Sequence, residues 1–182
     1  MFVRISPIAL SFVLLSALSA SAQSNTSLYT NLVGPQCRTL KLDESGTGSY
    51  LGQCRGVAGY KLLVEEGDIR QNLIVVTPAE KKKSLDLWSV VGSSFSSLGA
   101  KAEWRMKRQG KRSVPVGLIV RYNLANPEDS TKSISYLVVA RISPDAAQVC
   151  VTDVISPGAD QNAKAREGAD NSETKRCKVT PN

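Results

Sequence analysis

A stretch of twelve residues from Lys101 to Arg112, KAEWRMKRQGKR, carries six basic side chains and one acid. Clustered lysines and arginines on one surface bind phosphates and other anions without a defined sequence motif. We therefore predict a binding surface for an anionic polymer or for lipid headgroups, formed by Arg105, Lys107, Arg108, Lys111 and Arg112. The alternative is a solvated turn whose charges keep a sheet edge from pairing with other chains.

Groups suited to catalysis are scarce. Histidine is absent from the whole sequence, which excludes Ser-His-Asp and Cys-His catalysis and every histidine metal site. The chain also lacks the common Gly-rich phosphate loops, and we predict no cofactor, no metal and no catalytic residue. A glycosidase would need two acids facing each other across a cleft. Glu65 and Glu66 would point to opposite faces of a strand and Asp68 lies in a turn, so we predict a solvated acidic turn in which Asp68 can pair with Arg70.

Two residues in apolar surroundings are interpreted as structural. Asp153 lies in a strand that otherwise reads as buried, and a buried acid needs a partner; we expect Arg121 or Arg141. Trp104 is predicted to be a core residue rather than a platform for stacking a ligand. Because the chain has no nucleic-acid recognition motif and little aromatic interleaving, we predict no specific nucleic-acid binding.

The first 22 residues have the pattern of a secretory signal peptide. Arg4 precedes the apolar run IALSFVLLSAL, and Ala20-Ser21-Ala22 places small residues where signal peptidase reads, so we expect cleavage after Ala22. The remaining chain, residues 23–182, suits a single domain and has no later apolar run long enough to span a bilayer. Of its formal charge of +6, +5 lies between Lys101 and Arg112, and such a focused charge can bind.

Four cysteines follow the signal peptide: Cys37, Cys54, Cys150 and Cys177. An exported chain meets an oxidising compartment, which predicts two disulfides, and four cysteines allow three pairings. The two most local closures, Cys37–Cys54 and Cys150–Cys177, are favoured, each stabilising the fold by about 3–4 kcal/mol. A zinc site is the weaker alternative, because the spacings lack a C-x-x-C pair and histidine is absent.

The elements that would position these residues are mainly strands. Alternating apolar and β-branched residues predict six strands: 60–64, 73–77, one on each side of a turn at 108–111, 134–142 and 148–155. The basic cluster would then crown a β-hairpin. Residues 23–31 read as a polar lead-in, and residues 37–56 as a loop-rich hairpin closed by a disulfide.

Helices are few in this interpretation. Ser156 is a plausible N-cap with Pro157 at the first helical position, and small residues such as Ala165 and Ala169 permit close packing on a sheet. A shorter helical turn around Leu87 could be capped by Ser84. The predicted fold class is α+β: a mostly antiparallel sheet of about six strands with one C-terminal helix packed on it and two disulfides.

Four segments, CRGVAGYKLLVEEGDIRQ, FSSLGAKAEWR, VPVGLIVRY and NAKAREGAD, resemble a group of small exported bacterial proteins. The resemblance covers most of residues 23–182. It implies a bacterial setting, periplasmic or secreted, and it implies no activity and no functional residues.

These observations predict a non-enzymatic binding or accessory module of the bacterial envelope, which contacts anionic polymer or lipid headgroups through the basic hairpin. An inhibitor of a secreted hydrolase is the first alternative, because a rigid disulfide-linked loop binds with little loss of entropy. A carboxylate-dependent hydrolase is the second.

Overall fold

A computed structural model of the protein describes residues 25–43 and 48–178. The predicted signal peptide, residues 1–22, lies outside the described residues. The strands in chain order are β1 Thr26–Asn31, β2 Cys37–Leu42, β3 Tyr50–Arg55, β4 Lys61–Gly67, β5 Arg70–Val76, β6 Lys82–Ser84, β7 Ser96–Gln109, β8 Arg112–Asn126, β9 Asp129–Ile142 and β10 Val149–Ile155. The α-helices are α1 Leu87–Val90 and α2 Gln161–Asp170, and short 3-10 turns occupy Gly34–Gln36 and Ser172–Thr174.

The prediction of about six antiparallel strands was wrong, because the described residues form ten strands in one mixed sheet. The six predicted strands correspond to β4, β5 and β7 to β10, whose apolar residues give them a local signal. The remaining four strands are short. β1, β2 and β6 have no buried residue and β3 buries Gly52 and Cys54 alone, so their structure depends on pairing with neighbouring strands. The polar lead-in forms β1, which pairs with β7 from Thr26 opposite Met106 to Asn31 opposite Lys101.

The strand order along the sheet is β10-β9-β8-β7-β5-β4-β3-β2, with β1 added to β7 and β6 added to β5. Every neighbouring pair is antiparallel except β5 and β7, which are parallel and meet at one residue pair, Arg70 with Ser96. The sheet is therefore continuous, but it opens next to that single point of contact.

One face of the sheet encloses the main core. Trp104 and Tyr122 are its largest fully buried side chains, and Tyr122 donates a hydrogen bond to Ser96 Oγ at 2.7 Å. Aliphatic residues of β4, β5, β8, β9 and β10 complete this core, and Leu85 and Leu87 close it from the segment that contains α1. The sequence-based assignment of Trp104 to the core is confirmed.

Helix α2 covers the other face over β8 and β9. Its Ala165 and Ala169 pack against Ile119, Leu137 and Val139 in a second, smaller core. The contact is close: a Cβ at Gly117 would lie 2.9 Å from the Ala169 Cβ, so a larger residue would push the helix away. The helix begins later than predicted, since Asp160 rather than Ser156 precedes its first turn.

Two disulfides join the pairs that the sequence favoured. Cys37 and Cys54 lie opposite each other on β2 and β3, and Cys150 of β10 binds Cys177 beyond α2. The second bond closes the segment that carries α2 onto the sheet. Within the described residues, no helix is both long and apolar enough to cross a membrane.

Candidate anion-binding hairpin

The predicted hairpin turn is present between β7 and β8. Gln109 pairs with Arg112, which leaves Gly110 and Lys111 as a two-residue turn. Gly110 has φ +59°, the left-handed conformation that suits glycine at the first position of a type II′ hairpin turn. The basic residues thus lie on two long strands that continue directly into the core.

The tip of this hairpin exposes four cations: Lys107, Arg108, Lys111 and Arg112. We call these four residues the hairpin tip. Among the described residues no acid pairs with the last three, and Arg108 Nε donates only to the Gly110 carbonyl at 3.1 Å. Lys107 Nζ lies 3.6 Å from Glu173 Oε2, but both side chains are at least half exposed, so this pair contributes little to stability.

The fifth predicted residue, Arg105, does not belong to this surface, and its assignment as a binding residue is corrected. Its side chain is only 9% exposed. Its guanidinium binds the Asp170 carboxylate through two hydrogen bonds, Nε to Oδ1 at 2.8 Å and Nη2 to Oδ2 at 2.7 Å. Arg105 therefore lies under the end of α2 and cannot reach an external ligand.

The four cations of the hairpin tip do not share one face of the hairpin but point to both sides of it. Lys107 and Arg108 are consecutive in β7, so their side chains point to opposite sides of the hairpin. Arg112 pairs with Gln109 and shares the Lys107 side, while Lys111 occupies the turn itself. Such a distribution attracts an extended polyanion or a charged surface, whereas a single phosphate would need cations that converge on one point.

A network of charged and polar groups holds the lower part of the hairpin in place. Glu103, two residues before Arg105 on β7, accepts hydrogen bonds from Arg166 Nε at 2.7 Å and from Ser27 Oγ at 2.5 Å. The Asp170 carboxylate also accepts from Asn25 Nδ2 at 3.0 Å. The network joins β1, β7 and α2, and it fixes the base of the hairpin from both sides.

The ionisation of the network follows from these contacts. Burial alone would raise the pKa of Glu103, but hydrogen bonds from Arg166 and Ser27 outweigh it and lower that pKa below its ordinary value. The pKa of Asp170 is lowered in the same way, because hydrogen bonds from Arg105 and Asn25 outweigh burial. Both carboxylates are thus charged in the folded protein at neutral pH.

No protein-family model, no curated protein and no solved structure matches this chain. The resemblance to small exported bacterial proteins therefore stays a prediction, and any functional conclusion has to come from the geometry.

The other predicted residues lie apart from the hairpin tip. Glu65 accepts a hydrogen bond from Asn72 and Glu66 accepts one from Gln71, while Asp68 forms the expected ion pair with Arg70. These carboxylates do not face one another across a cleft. Within the part of the chain that the structure describes, no three His, Cys, Asp or Glu residues gather into a possible metal site.

Asp153 has a different partner from the one expected. Both of its carboxylate oxygens lie 2.8 Å from Lys175 Nζ. Arg121 instead binds Ser135 and Gln161, and Arg141 binds the Lys175 carbonyl at 2.7 Å. The prediction failed because Lys175 reaches β10 only after the chain has passed through α2 and turned back.

Sequence reasoning missed the residues that anchor the hairpin, chiefly Asp170, Ser27 and Asn25. They lie 65 to 80 positions from Arg105 in the sequence, and no short motif connects them. The one available signal was the strand alternation of β7, which places Glu103 and Arg105 on one face. Two opposite charges on the same face of a strand are typical of a structural ion network.

Proposed function

We propose that this chain is an exported, non-enzymatic binding module that attaches to anionic polymer or anionic lipid headgroups of the bacterial envelope through the hairpin tip. One observation carries the proposal: Lys107, Arg108, Lys111 and Arg112 are exposed within six consecutive residues, and Glu173 is the one acid near them among the described residues. An attachment site needs accessible cations, and these are accessible.

The rigidity of the hairpin supports the same function. The turn is closed by strand pairing, and the base is held by the Arg105–Asp170 and Arg166–Glu103 ion pairs. Cations on an ordered support lose less conformational entropy on binding than cations on a flexible loop. The hairpin can therefore present its charges without first being ordered by the ligand.

The physical signature of this function is its response to salt. Each cation that neutralises an anionic group of a polyanion releases condensed counterions, so the logarithm of the binding constant falls linearly with the logarithm of the salt concentration. Four contacts predict a slope of about −3 to −4 by the rule for double-stranded DNA. Loss of the four cations should remove both the affinity and the slope.

The test is binding of residues 23–182 to isolated envelope fractions over a series of salt concentrations. Phosphatidylglycerol vesicles and soluble polyphosphate distinguish lipid headgroups from polymer. The variant changes Lys107, Arg108, Lys111 and Arg112 to Ser. The matched control changes four other exposed cations to Ser, namely Arg38, Arg55, Lys81 and Lys82. It therefore also removes two arginines and two lysines, and the change in net charge is the same.

We expect binding of the wild type to weaken with salt, to disappear in the hairpin variant and to persist in the control. Equal loss in both variants would mean that net charge rather than the hairpin tip is responsible, and it would overturn the proposal. Absence of wild-type binding at low salt to fractions, vesicles and polyphosphate alike would also overturn it.

A further inference from the structure

The opening of the sheet between β5 and β7 is bridged by one side chain. After the contact of Arg70 with Ser96, the Gln71 side-chain Oε1 accepts a hydrogen bond from the Leu98 backbone N–H at 2.7 Å. Gln71 Nε2 donates to Glu66 Oε2 at 2.6 Å, and the Gln71 carbonyl accepts from Trp88 Nε1 at 2.9 Å. A side-chain amide thus replaces the next strand pairing, and the two strands separate there.

A cavity of about 370 Å³ occupies this opening, which is within the range of small-molecule sites. Its apolar lining comes from Leu32, Val33, Val64 and Leu98, and its polar lining includes Tyr50 and Glu66. The lip is fixed by the Cys37–Cys54 disulfide, because Cys37 also lines the cavity. The space is therefore built by β2 to β5 and β7 together with the connection from β1 to β2, whose Leu32, Val33 and Gly34 line it.

Glu66 gives this cavity a charge opposite to that of the chain. Among the described residues it is the one charged residue in the lining, and none of their lysines or arginines lines the cavity, although the chain as a whole has a formal charge of +7. Glu66 Oε2 accepts from Gln71, while among the described residues no group donates to Oε1. A half-buried carboxylate with one free oxygen favours a ligand that brings a positive charge and a donor.

Tyr50 lies directly opposite Glu66 in the pairing of β3 with β4, so the two side chains are neighbours on one face. Its ring folds back over Gly52, where an added Cβ would lie 2.6 Å from Cζ and 2.9 Å from Cε1. Glycine at position 52 therefore leaves the space that the ring occupies. Tyr50 and Glu66 both line the cavity, and the ring forms an aromatic wall of it.

From this geometry we propose that the cavity between β5 and β7 binds a small organic cation, an ammonium group carried on a compact apolar body. The ammonium donates to Glu66 Oε1 and lies near the face of Tyr50, which attracts cations through its ring quadrupole. The apolar body packs against Val33, Val64 and Leu98. This site lies apart from the hairpin tip and does not depend on the function proposed for it.

Benzylamine is a suitable probe, with benzyl alcohol as its uncharged counterpart of nearly the same shape. Binding is followed by chemical-shift changes in an amide NMR titration of residues 23–182. The wild type should bind benzylamine at least ten-fold more tightly than benzyl alcohol, with the shifts concentrated on Val33, Gly52 and Leu98. Equal affinity for both probes, no shift at millimolar benzylamine, or shifts confined to other surfaces would overturn the proposal.

The variant Glu66→Gln keeps the shape of the side chain and an acceptor for Gln71 but removes the charge. The matched control is Glu65→Gln, which makes the same charge change on the adjacent residue of β4, whose side chain accepts from Asn72 instead. We expect Glu66→Gln to weaken benzylamine binding at least ten-fold and Glu65→Gln to leave it unchanged. Equal effects of the two variants would contradict the site.

A second variant, Tyr50→Leu, keeps the proposal testable if Glu66→Gln does not fold. It removes the aromatic wall and retains apolar volume, so benzylamine should bind several-fold more weakly while the preference for the charged probe persists. Unchanged benzylamine affinity in a folded Tyr50→Leu protein would show that the ring of Tyr50 does not contact the ligand, and it would overturn the proposed geometry.

Discussion

Arg105 and Asp170 face each other through two parallel hydrogen bonds, of 2.8 and 2.7 Å, that join the middle of β7 to the last residue of α2. The guanidinium also donates to the backbone carbonyl of Asn25 at 2.9 Å, so the same group holds the chain just before β1. Paired hydrogen bonds between ionised groups are among the stronger polar contacts in proteins. A residue from the most basic stretch of the sequence thus serves as a structural anchor.

Loss of this anchor should destabilise the fold more than loss of an exposed cation. Arg105→Lys removes the paired geometry but keeps the charge, and we expect it to lower the free energy of unfolding by about 2 kcal/mol. Asp170→Asn removes the paired carboxylate and leaves Glu103 Oε1, 3.8 Å from Nη1, as the remaining acid at the guanidinium among the described residues; it should lower the free energy of unfolding by about 3 kcal/mol. Urea unfolding measures both changes.

The matched substitution for this comparison is Arg108→Lys, which makes the same chemical change three positions away on the exposed hairpin tip. We expect it to alter the free energy of unfolding by less than about 0.5 kcal/mol. If Arg105→Lys and Arg108→Lys had the same small effect, the contact between Arg105 and Asp170 would contribute no net stability.

Acid should unfold the protein partly through Glu103 and Asp170. The pKa of each is lowered in the folded state, so their contribution to stability is present above their ordinary values near 4 and is lost as the pH falls through the folded pKa. We expect the free energy of unfolding to stay level from neutral pH to about pH 5 and to fall below about pH 4. Urea unfolding at a series of pH values measures this.

Asp170→Asn should make that fall shallower, because an amide does not titrate. Glu128→Gln serves as the control, since it removes one negative charge from an exposed turn and should leave the slope of the wild type unchanged. A slope that Asp170→Asn fails to reduce would show that the Arg105–Asp170 pair is not linked to acid unfolding.

The sequence predicted the elements whose signal is local. The strands β4, β5 and β7 to β10, the glycine turn at Gly110 and the burial of Trp104 all follow from alternation, turn residues or size. The strand β1 could not be recognised, because its exposed Leu28 and Tyr29 show no buried face and its structure depends on pairing with β7. The sequence distance between the two strands removes any local signal.

The residues of the two candidate sites also divide into those with a local sequence signal and those whose role depends on distant contacts. The exposed cations of the hairpin tip follow from composition and from a turn signal, and their exposure needed no knowledge of distant contacts. The position of Arg105 on the outer face also follows from alternation. That this face is covered there by Asp170 depends on how α2 packs, and Tyr50 becomes a neighbour of Glu66 only through the pairing of β3 with β4.

The turn between β4 and β5 holds Ile69 in a strained backbone conformation. Asp68 and Ile69 both have positive φ, +51° and +57°, as a type I′ hairpin turn requires. The second position of this turn favours glycine, and a β-branched residue in the left-handed region costs about 1–2 kcal/mol. Because Ile69 is 63% exposed, Ile69→Gly loses little packing and should raise the free energy of unfolding by about 0.5–1 kcal/mol.

Thermal unfolding of Ile69→Gly and Ile69→Val separates strain from side-chain contact. Valine keeps the branched Cβ and should leave the melting temperature close to that of the wild type, while glycine should raise it. A lower melting temperature for Ile69→Gly would mean that contact of Ile69 with its surroundings near Phe95 outweighs the backbone strain.

The two disulfides should differ in what they stabilise. Cys150–Cys177 closes a loop with a sequence separation of 27 that includes the whole of α2, and Cys37–Cys54 closes one with a separation of 17 that consists of β2, β3 and their connection. The chain-entropy model gives each about 3–3.5 kcal/mol, so replacing either pair with serines should lower the free energy of unfolding by a similar amount. Only the loss of Cys150–Cys177 should also loosen α2.

Amide hydrogen exchange tests this difference, because it reports local opening residue by residue. Without Cys150–Cys177, the C-terminal segment is still held by Lys175 against Asp153 and by the Lys178 backbone N–H, which donates to the Val151 carbonyl at 2.7 Å. Protection in α2 should fall below that in β8 in this variant, whereas loss of Cys37–Cys54 should leave the ratio between them unchanged. If the ratio of protection in α2 to protection in β8 were equal in the two variants, α2 would be held by its alanine contacts and ion pairs rather than by the disulfide.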